Sequence, residues 1–158
     1  MQRTKKVHKM TPPKQKPRVF IDADVLFAGS ASPSEHGASH VILRMAEITL
    51  IDAFTSEQVI MEVERNLQAK IPKALPAFRH LTSRCLKVVS NPKTAVIQPH
   101  TGKADNKDLP ILVAAARDNC TWLVTFNIKH FQPGIPSVTA LRPGDFILRV
   151  RDLLTLLN

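Results

Sequence analysis

No stretch of this sequence comes near the roughly 20 consecutive apolar residues that a membrane-spanning helix needs, so a membrane is not among its expected partners. The first ten residues, MQRTKKVHKM, are charged and lack the apolar segment of a secretory signal; the chain is expected in the cytosol. Cysteine is scarce. Cys85 and Cys120 stand far apart and form no C-x-x-C pair, which argues against a structural zinc site and fits a reducing compartment. Each is expected as a buried, unpaired thiol. There is no P-loop, no G-x-S-x-G and no internal repeat, so neither a phosphate-cradling glycine loop nor a serine nucleophile elbow is available.

What is present is enough for one compact domain. The chain has 158 residues, 44% of them apolar, so it can build a core. Its net charge of +9 is unevenly spread. Residues 1–18 carry seven basic residues and no acid. Residues 19–64 carry eight acids and one base, Arg44. Residues 65–107 carry nine bases and one acid, Asp105, and the remainder is nearly balanced. A cationic stretch beside an acidic one suits a phosphate backbone, held by counterion release around an acidic centre. A solvated face and a solubilising tail are the plainer explanation of the same charges.

Residues 1–17 read as a flexible basic arm, with Pro12, Pro13 and Pro17 among the lysines. Residues 18–158 then form the folded domain. Buried strands are expected at 19–21, 48–54, 86–89, 122–125 and 137–139, where short apolar runs occur. Residues 29–35 and 90–107 have loop composition. Helices are expected at about 36–47, from Thr55 or Ser56 as N-cap to Lys70, at 74–85, from Pro110, and from Pro143. Alternating apolar strands and helices predict an α/β fold, with a central, mostly parallel sheet of four to five strands flanked by helices in three layers. The ligand site of such a sheet lies beyond the carboxyl ends of its strands. That rule gathers Asp22 and Asp24, after the first strand, with Thr125 to Asn127, after the fourth.

Taken singly, these polar residues are ambiguous. Asp22 stands at the edge of the apolar layer and, when ionised, needs a cation or several donors; it could equally cap a turn. Glu62 and Glu64 flank opposite edges of the helical stripe Val59, Ile60, Val63 and Leu67, and spacing does not choose between them. Asp108, ahead of Pro110, could be a helix cap. His36 and His40 have zinc-ligand spacing but no third ligand, so they are expected as surface residues. Trp122 is expected in the core, and His130-Phe131 in packing and a turn.

Taken in order, the segments VFIDADVLFAG (19–29), TSEQVIMEVERNL (55–67), DNKDLPILVAAARDNCTWLVTFNIKHF (105–131) and LRPGDFI (141–147) resemble the PIN-domain nuclease family, most nearly its toxin-type, VapC-like ribonucleases. The resemblance spans about residues 18–146. It implies a PIN-like fold and places the family's acids on Asp22, Glu62 and Asp108. The fourth acid, in Thr-x-Asp, falls on Asn127, a departure that removes one unit of charge. Asp24 stands where the family commonly has Asn and is expected either to restore that charge or only to bind backbone amides. The implied chemistry is metal-dependent cleavage of RNA phosphodiester bonds, with Mg²⁺ or Mn²⁺ held by Asp22, Asp24, Glu62 and Asp108. Thr125 and Asn127 would orient water or phosphate, with Asp105 in support. Arg65, Lys70, Lys73, Lys103 and Lys107 would hold the RNA. A cognate antitoxin and a homodimer are possible partners of a toxin-type member. Two alternatives stand beside this. One is a non-catalytic PIN-like module that binds RNA or a partner. The other is a haloacid-dehalogenase-like phosphatase, since Val19 to Val25 also resembles that family's first motif, with Asp22 as nucleophile and Asp24 as general acid.

Overall fold

A computed structural model describes residues 15–31 and 37–157. Five parallel strands run through it in the order β3-β2-β1-β4-β5: β1 Arg18–Ile21, β2 Asp52–Ser56, β3 Leu86–Val89, β4 Trp122–Val124 and β5 Thr139–Leu141. The helices are α1 Ala23–Ala31, α2 Ala38–Glu47, α3 Glu57–Lys70, α4 Leu75–Cys85, α5 Thr94–Ile97, α6 Leu109–Arg117 and α7 Pro143–Thr155. This is the three-layer α/β architecture expected from the alternation of apolar segments.

Parallel strands require crossovers, and right-handed crossovers decide the layers. The chain steps outward from β1 to β2 to β3, then returns across the sheet to β4. α1 packs on α2 and α3, and α2 on α4 and α7. α6, from the return crossover, packs with α5 and against β2. Both faces of the central strands are therefore covered, and Val19, Phe20, Ile21, Leu123 and Val124 are fully buried. The strand order reverses between β1 and β4, and a crevice opens there at the carboxyl ends. Arg18 fixes the other end of β1, donating to the Asp118 carbonyl at 2.8 Å and stacking 4.4 Å from the Phe54 ring centre.

Several boundaries differ from expectation. Ile48 to Ile51 is not strand: α2 ends at Glu47, Thr49 adopts a left-handed φ of 61°, and the Leu50 amide returns to the Met45 carbonyl at 2.9 Å. The strand is Asp52–Ser56, so it takes in both expected helix caps. The Thr55 hydroxyl donates to the Ile21 carbonyl at 3.0 Å, and Ser56 holds the N-cap position of α3 without a side-chain bond. Asn91 serves α3 instead, accepting from the Gln58 amide at 2.8 Å.

Residues 29–31, expected as loop, belong to α1, which continues to Ala31. Gly29 belongs to a tight helix contact: a Cβ there would stand 2.6 Å from Leu43 Cδ1 on α2. The 90–107 segment holds the short α5 and a 3-10 turn, Gln98–His100. The last strand is shifted to 139–141, since Ser137 and Val138 complete a turn in which the Val138 amide reaches the Ile135 carbonyl. Cys120 is buried, which pushes its thiol up to about 12, but Cys85 is only half-buried. Trp122 is likewise partly buried, edge-on to Phe146 at 5.7 Å. His40 is half-buried on α2, while His36 and the basic arm through residue 14 lie outside the described residues.

Candidate metal centre at the carboxyl edge of the sheet

β1 delivers Asp22 to the crevice and α1 begins immediately after it, so Asp24 falls in the first helical turn. Asp22 is 7% exposed. Its Oδ1 accepts from the Ala23 amide at 2.7 Å, and its Oδ2 accepts from the Thr125 hydroxyl at 2.8 Å. Burial, then repulsion from Asp24, raises its pKa to about 7, against the pull of those two donors. Asp108 adds a smaller repulsion.

Asp24 is tied to the end of β4. Its Oδ2 accepts from the Phe126 amide at 3.0 Å and from the Asn127 side-chain amide at 3.1 Å. Its Oδ1 is buried with no hydrogen-bond partner. Burial raises its pKa as well, and Glu62 contributes a repulsion from α3. The two glutamates that spacing could not separate are thus placed differently. Glu62 acts on Asp24, whereas Glu64 turns to α4 and pairs with Arg79 at 3.4 Å.

Asp108 precedes α6 at its N-cap position but makes no side-chain cap bond. Its carboxylate meets His130 instead, Nδ1 to Oδ2 at 3.2 Å. Its pKa is raised by burial, with His130 and Lys107 opposing. The Asp105 amide bonds the His130 carbonyl at 2.8 Å, which locks the loop before α6 onto the turn after β4. Asp105, Asp108 and His130 offer ligand atoms within 4.8 Å of one another, the one such group of three among the described residues. Asp22 feels the charges of Asp24 and Asp108, and Asp24 that of Glu62, but these acids form no group of three at that spacing.

His130 is the residue that sequence reasoning missed. Phe131 is buried as expected, but His130 is turned outward to Asp108. The available signal was its position: it lies in the short turn Ile128–Phe131, a few residues after the end of β4. Thr125 and Asn127 tie the end of β4 to the acids. Both spend donors on carboxylates, and the Thr125 hydroxyl also accepts from the Asn127 amide at 3.0 Å.

The candidate RNA-binding cations divide. Lys103 and Lys107 stand exposed on the loop that packs beside the site: the Gly134 amide bonds the Lys103 carbonyl, and Gln58 bonds the Lys107 carbonyl at 3.3 Å. Lys70 lies over the Phe27 ring at 5.4 Å, one helical turn beyond Asp24. Arg65 and Lys73 are exposed on α3 and the turn after it, with no contact that ties them to the carboxylates. A concavity of about 420 Å³ lies elsewhere, against Arg18, Thr121, Trp122 and Leu153 at the opposite strand ends, and no acid lines it.

The sequence profile of the family described as PIN domain matches residues 18–129. The chain belongs to the PIN-domain family. Its fold is similar to that of VapBC2 from Rickettsia felis, crystallised bound to a DNA fragment from their promoter: 16% identity, TM-score 0.58, covering 79% of this chain and 98% of that one. It is also similar to PAE2754 from Pyrobaculum aerophilum: 16% identity, TM-score 0.57, covering 86% and 96% respectively. No curated protein matches the chain. Among the described residues no helix is long and apolar enough to cross a membrane. Membership of this family takes the place of the dehalogenase-like alternative.

Proposed function

We propose that this protein is a metal-dependent endoribonuclease of the toxin type. The observation that carries the reading is the clustered carboxylate set, with Asp22 buried and Asp24, Glu62 and Asp108 half-buried. Asp22 and Asp24 are desolvated, mutually repelling and coupled outward to Asp108 and Glu62, and one oxygen of Asp24 is buried with nothing to bind. Carboxylates gathered in this way either take up protons or are offset by a cation. The donors are hard oxygens, which suit Mg²⁺ or Mn²⁺ rather than a thiolate-seeking metal. Asp22, Asp24, Glu62 and Asp108 would hold the ion. When bound, it supplies a polarised water and neutralises charge on a phosphate.

The chain's own residues do the rest. Thr125 orients Asp22, and Asn127 orients Asp24. His130 and Asp105 set the position of Asp108. Lys103, Lys107 and Lys129 surround the crevice with positive charge and draw an RNA backbone towards it. Arg65 and Lys70 extend that charge along α3, and Lys73 continues it on the turn after the helix. By likeness to VapBC2, a cognate antitoxin is proposed as partner. Leu154 and Leu157, exposed near the end of α7, are proposed as apolar surface for a homodimer. The cytosol is proposed as the place of action.

The test is incubation of the full chain with end-labelled single-stranded RNA, with Mg²⁺ or Mn²⁺ and with chelator. Cleavage should need the ion and vanish in Asp22→Asn and Asp108→Asn. Binding without cutting at any concentration of either ion would instead establish a non-catalytic RNA-binding module. Asn127, the departure from the family's acid, here has a use in holding Asp24.

A further inference from the structure

Phe126 is set apart from every other aromatic side chain. The chain has seven phenylalanines, one tryptophan and no tyrosine. Phe20, Phe54, Phe78, Phe131 and Phe146 are buried, and Phe27 and Trp122 pack against the core. Phe126 alone is exposed, with 45% of its surface in solvent. Its structural task is done by its backbone, which donates to Asp24 at 3.0 Å. Any residue but proline could supply that amide. The ring is the part that folding does not explain.

The mount is rigid. Thr125 on one side is bonded to Asp22, and Asn127 on the other to Asp24. The ring therefore projects from a fixed stem whose own amide touches a carboxylate of the centre, within a nucleotide's reach of it. The residues that follow it are polar or cationic: Asn127, Lys129 and His130 are all exposed, and the Gly134 amide holds the Lys103 carbonyl to the segment after them. The other large exposed apolar residues lie on different elements: Met61 on α3 beside Glu62, Val88 on β3, Val96 on α5, and Leu148 and Leu154 on α7 among them. A protein partner docking by an apolar face needs a contiguous apolar patch. A lone ring among cations is the combination that single-stranded nucleic acid uses, with bases stacked on aromatics and phosphates held by lysine.

We propose that Phe126 is a stacking platform for one unpaired base of the RNA, beside the phosphate presented to the carboxylates. The substrate is then single-stranded RNA or an unpaired loop, because the bases of a duplex are already stacked on each other. Stacking tolerates any base, so the platform selects for unpairedness and not for sequence. The proposal deepens the nuclease reading and rests on it for the location of the phosphate.

The experiment measures binding of a fluorescent single-stranded RNA octamer by anisotropy in an Asp108→Asn background, where cutting does not intervene. Phe126→Ala is expected to raise Kd by roughly 5- to 100-fold, the range for one stacked base. Phe126→Trp should bind as well as the parent. Phe126→Leu should be weakened nearly as much as Ala, because it keeps apolar area and loses the ring face. A duplex of the same sequence should bind the parent and all three variants alike. Equal Kd for Phe126→Ala, or full binding by Phe126→Leu, overturns the platform, and a protein contact then becomes the use of the ring. Because the ring is exposed, thermal melting should shift little, and Phe126→Trp guards against a folding artefact. If wild type cuts RNA with no dependence on Phe126, the platform alone falls. If RNA binding depends on Phe126 and nothing is cut, the nuclease reading alone falls. If no RNA binds, both fall.

Discussion

Asn127 donates its side-chain amide to Asp24 at 3.1 Å, so the two positions at which this chain departs from its family's usual residues hold each other. The common arrangement has an acid at the later position and a neutral amide at the earlier one. Here the charge sits on Asp24 and the donor on Asn127, and the total charge is kept. Asn127→Asp would set two carboxylates against each other where a charge-assisted bond, worth about 1.5–3 kcal/mol, now stands. In metal-free protein near neutral pH its Tm should fall by roughly 5 °C or more. Mn²⁺ should recover much of that loss, and the double change Asp24→Asn with Asn127→Asp should recover it without metal. Equal metal-free melting of Asn127→Asp and wild type would show that the pair is not coupled.

The raised Asp22 pKa gives stability a pH dependence of definite sign. Below pH 3.8 the folded and unfolded chains both carry the proton. Between there and about 7 the unfolded chain has lost it and the folded one retains it, so unfolding becomes easier as pH rises across that window and levels off above it. Chelated protein should therefore melt at a lower temperature at pH 7.5 than at pH 5 on account of this group. Bound Mg²⁺ or Mn²⁺ should reduce the slope, because it favours the ionised form that the empty site resists. Asp22→Asn should raise the chelated Tm at pH 7.5 by several degrees while abolishing cleavage. A chelated Asp22→Asn protein that melts below wild type at that pH would refute the assignment.

Thr125 is fully buried, and its hydroxyl serves Asp22 and the Asn127 amide together. Valine has nearly its shape but neither a donor nor an acceptor. Thr125→Val leaves a buried carboxylate oxygen short of a donor, a loss of about 1–3 kcal/mol. The Asp22 pKa should move further up, since the bond now opposes burial. Melting should drop by a few degrees, and the pH at which metal-dependent cleavage reaches half its maximum should rise. Serine at 125 should restore the pH profile more fully than valine; if valine matches wild type in that profile, Thr125 does not set the charge state of Asp22.

The sheet and the acids were legible in sequence for different reasons. Val19 to Ile21, Leu123 and Val124 are apolar without alternation, and only a strand covered on both faces needs that. Asp22 and Asp24 directly follow such a run, which placed them at the crevice before any coordinates. Spacing alone did not choose Glu62 over Glu64; the family resemblance did, and in the structure Glu64 is turned to Arg79 of α4. The β2 boundary was misjudged because Ile48 to Ile51 is as apolar as a strand, yet Thr49 turns the chain there in a left-handed conformation. His130 was hidden by its neighbour. Phe131 has the plain pattern of a core residue, and nothing in one dimension shows that the next side chain back meets an aspartate 22 positions earlier.

His130 holds one oxygen of Asp108 at 3.2 Å, while its own carbonyl is bonded to the Asp105 amide. A carboxylate with one oxygen fixed presents the other in a defined direction, and partners of this sort tune metal affinity by about 10- to 100-fold. His130→Ala should weaken Mn²⁺ binding by about 10-fold in calorimetric titration. Its side chain is half exposed and its backbone bond survives the change, so Tm should move by no more than a degree or two. His130→Asn, which keeps a donor on a shorter arm, should fall between Ala and wild type. Asp105→Ala keeps the backbone lock as well and should weaken binding less than His130→Ala if Asp105 only supports the site. Should Asp105→Ala prove the more damaging, Asp105 is itself a ligand and the ion lies nearer the 105–108 loop than Asp22 implies. Unchanged Mn²⁺ affinity in His130→Ala, with cleavage intact, would leave the histidine as an ordinary surface residue that happens to meet an acid.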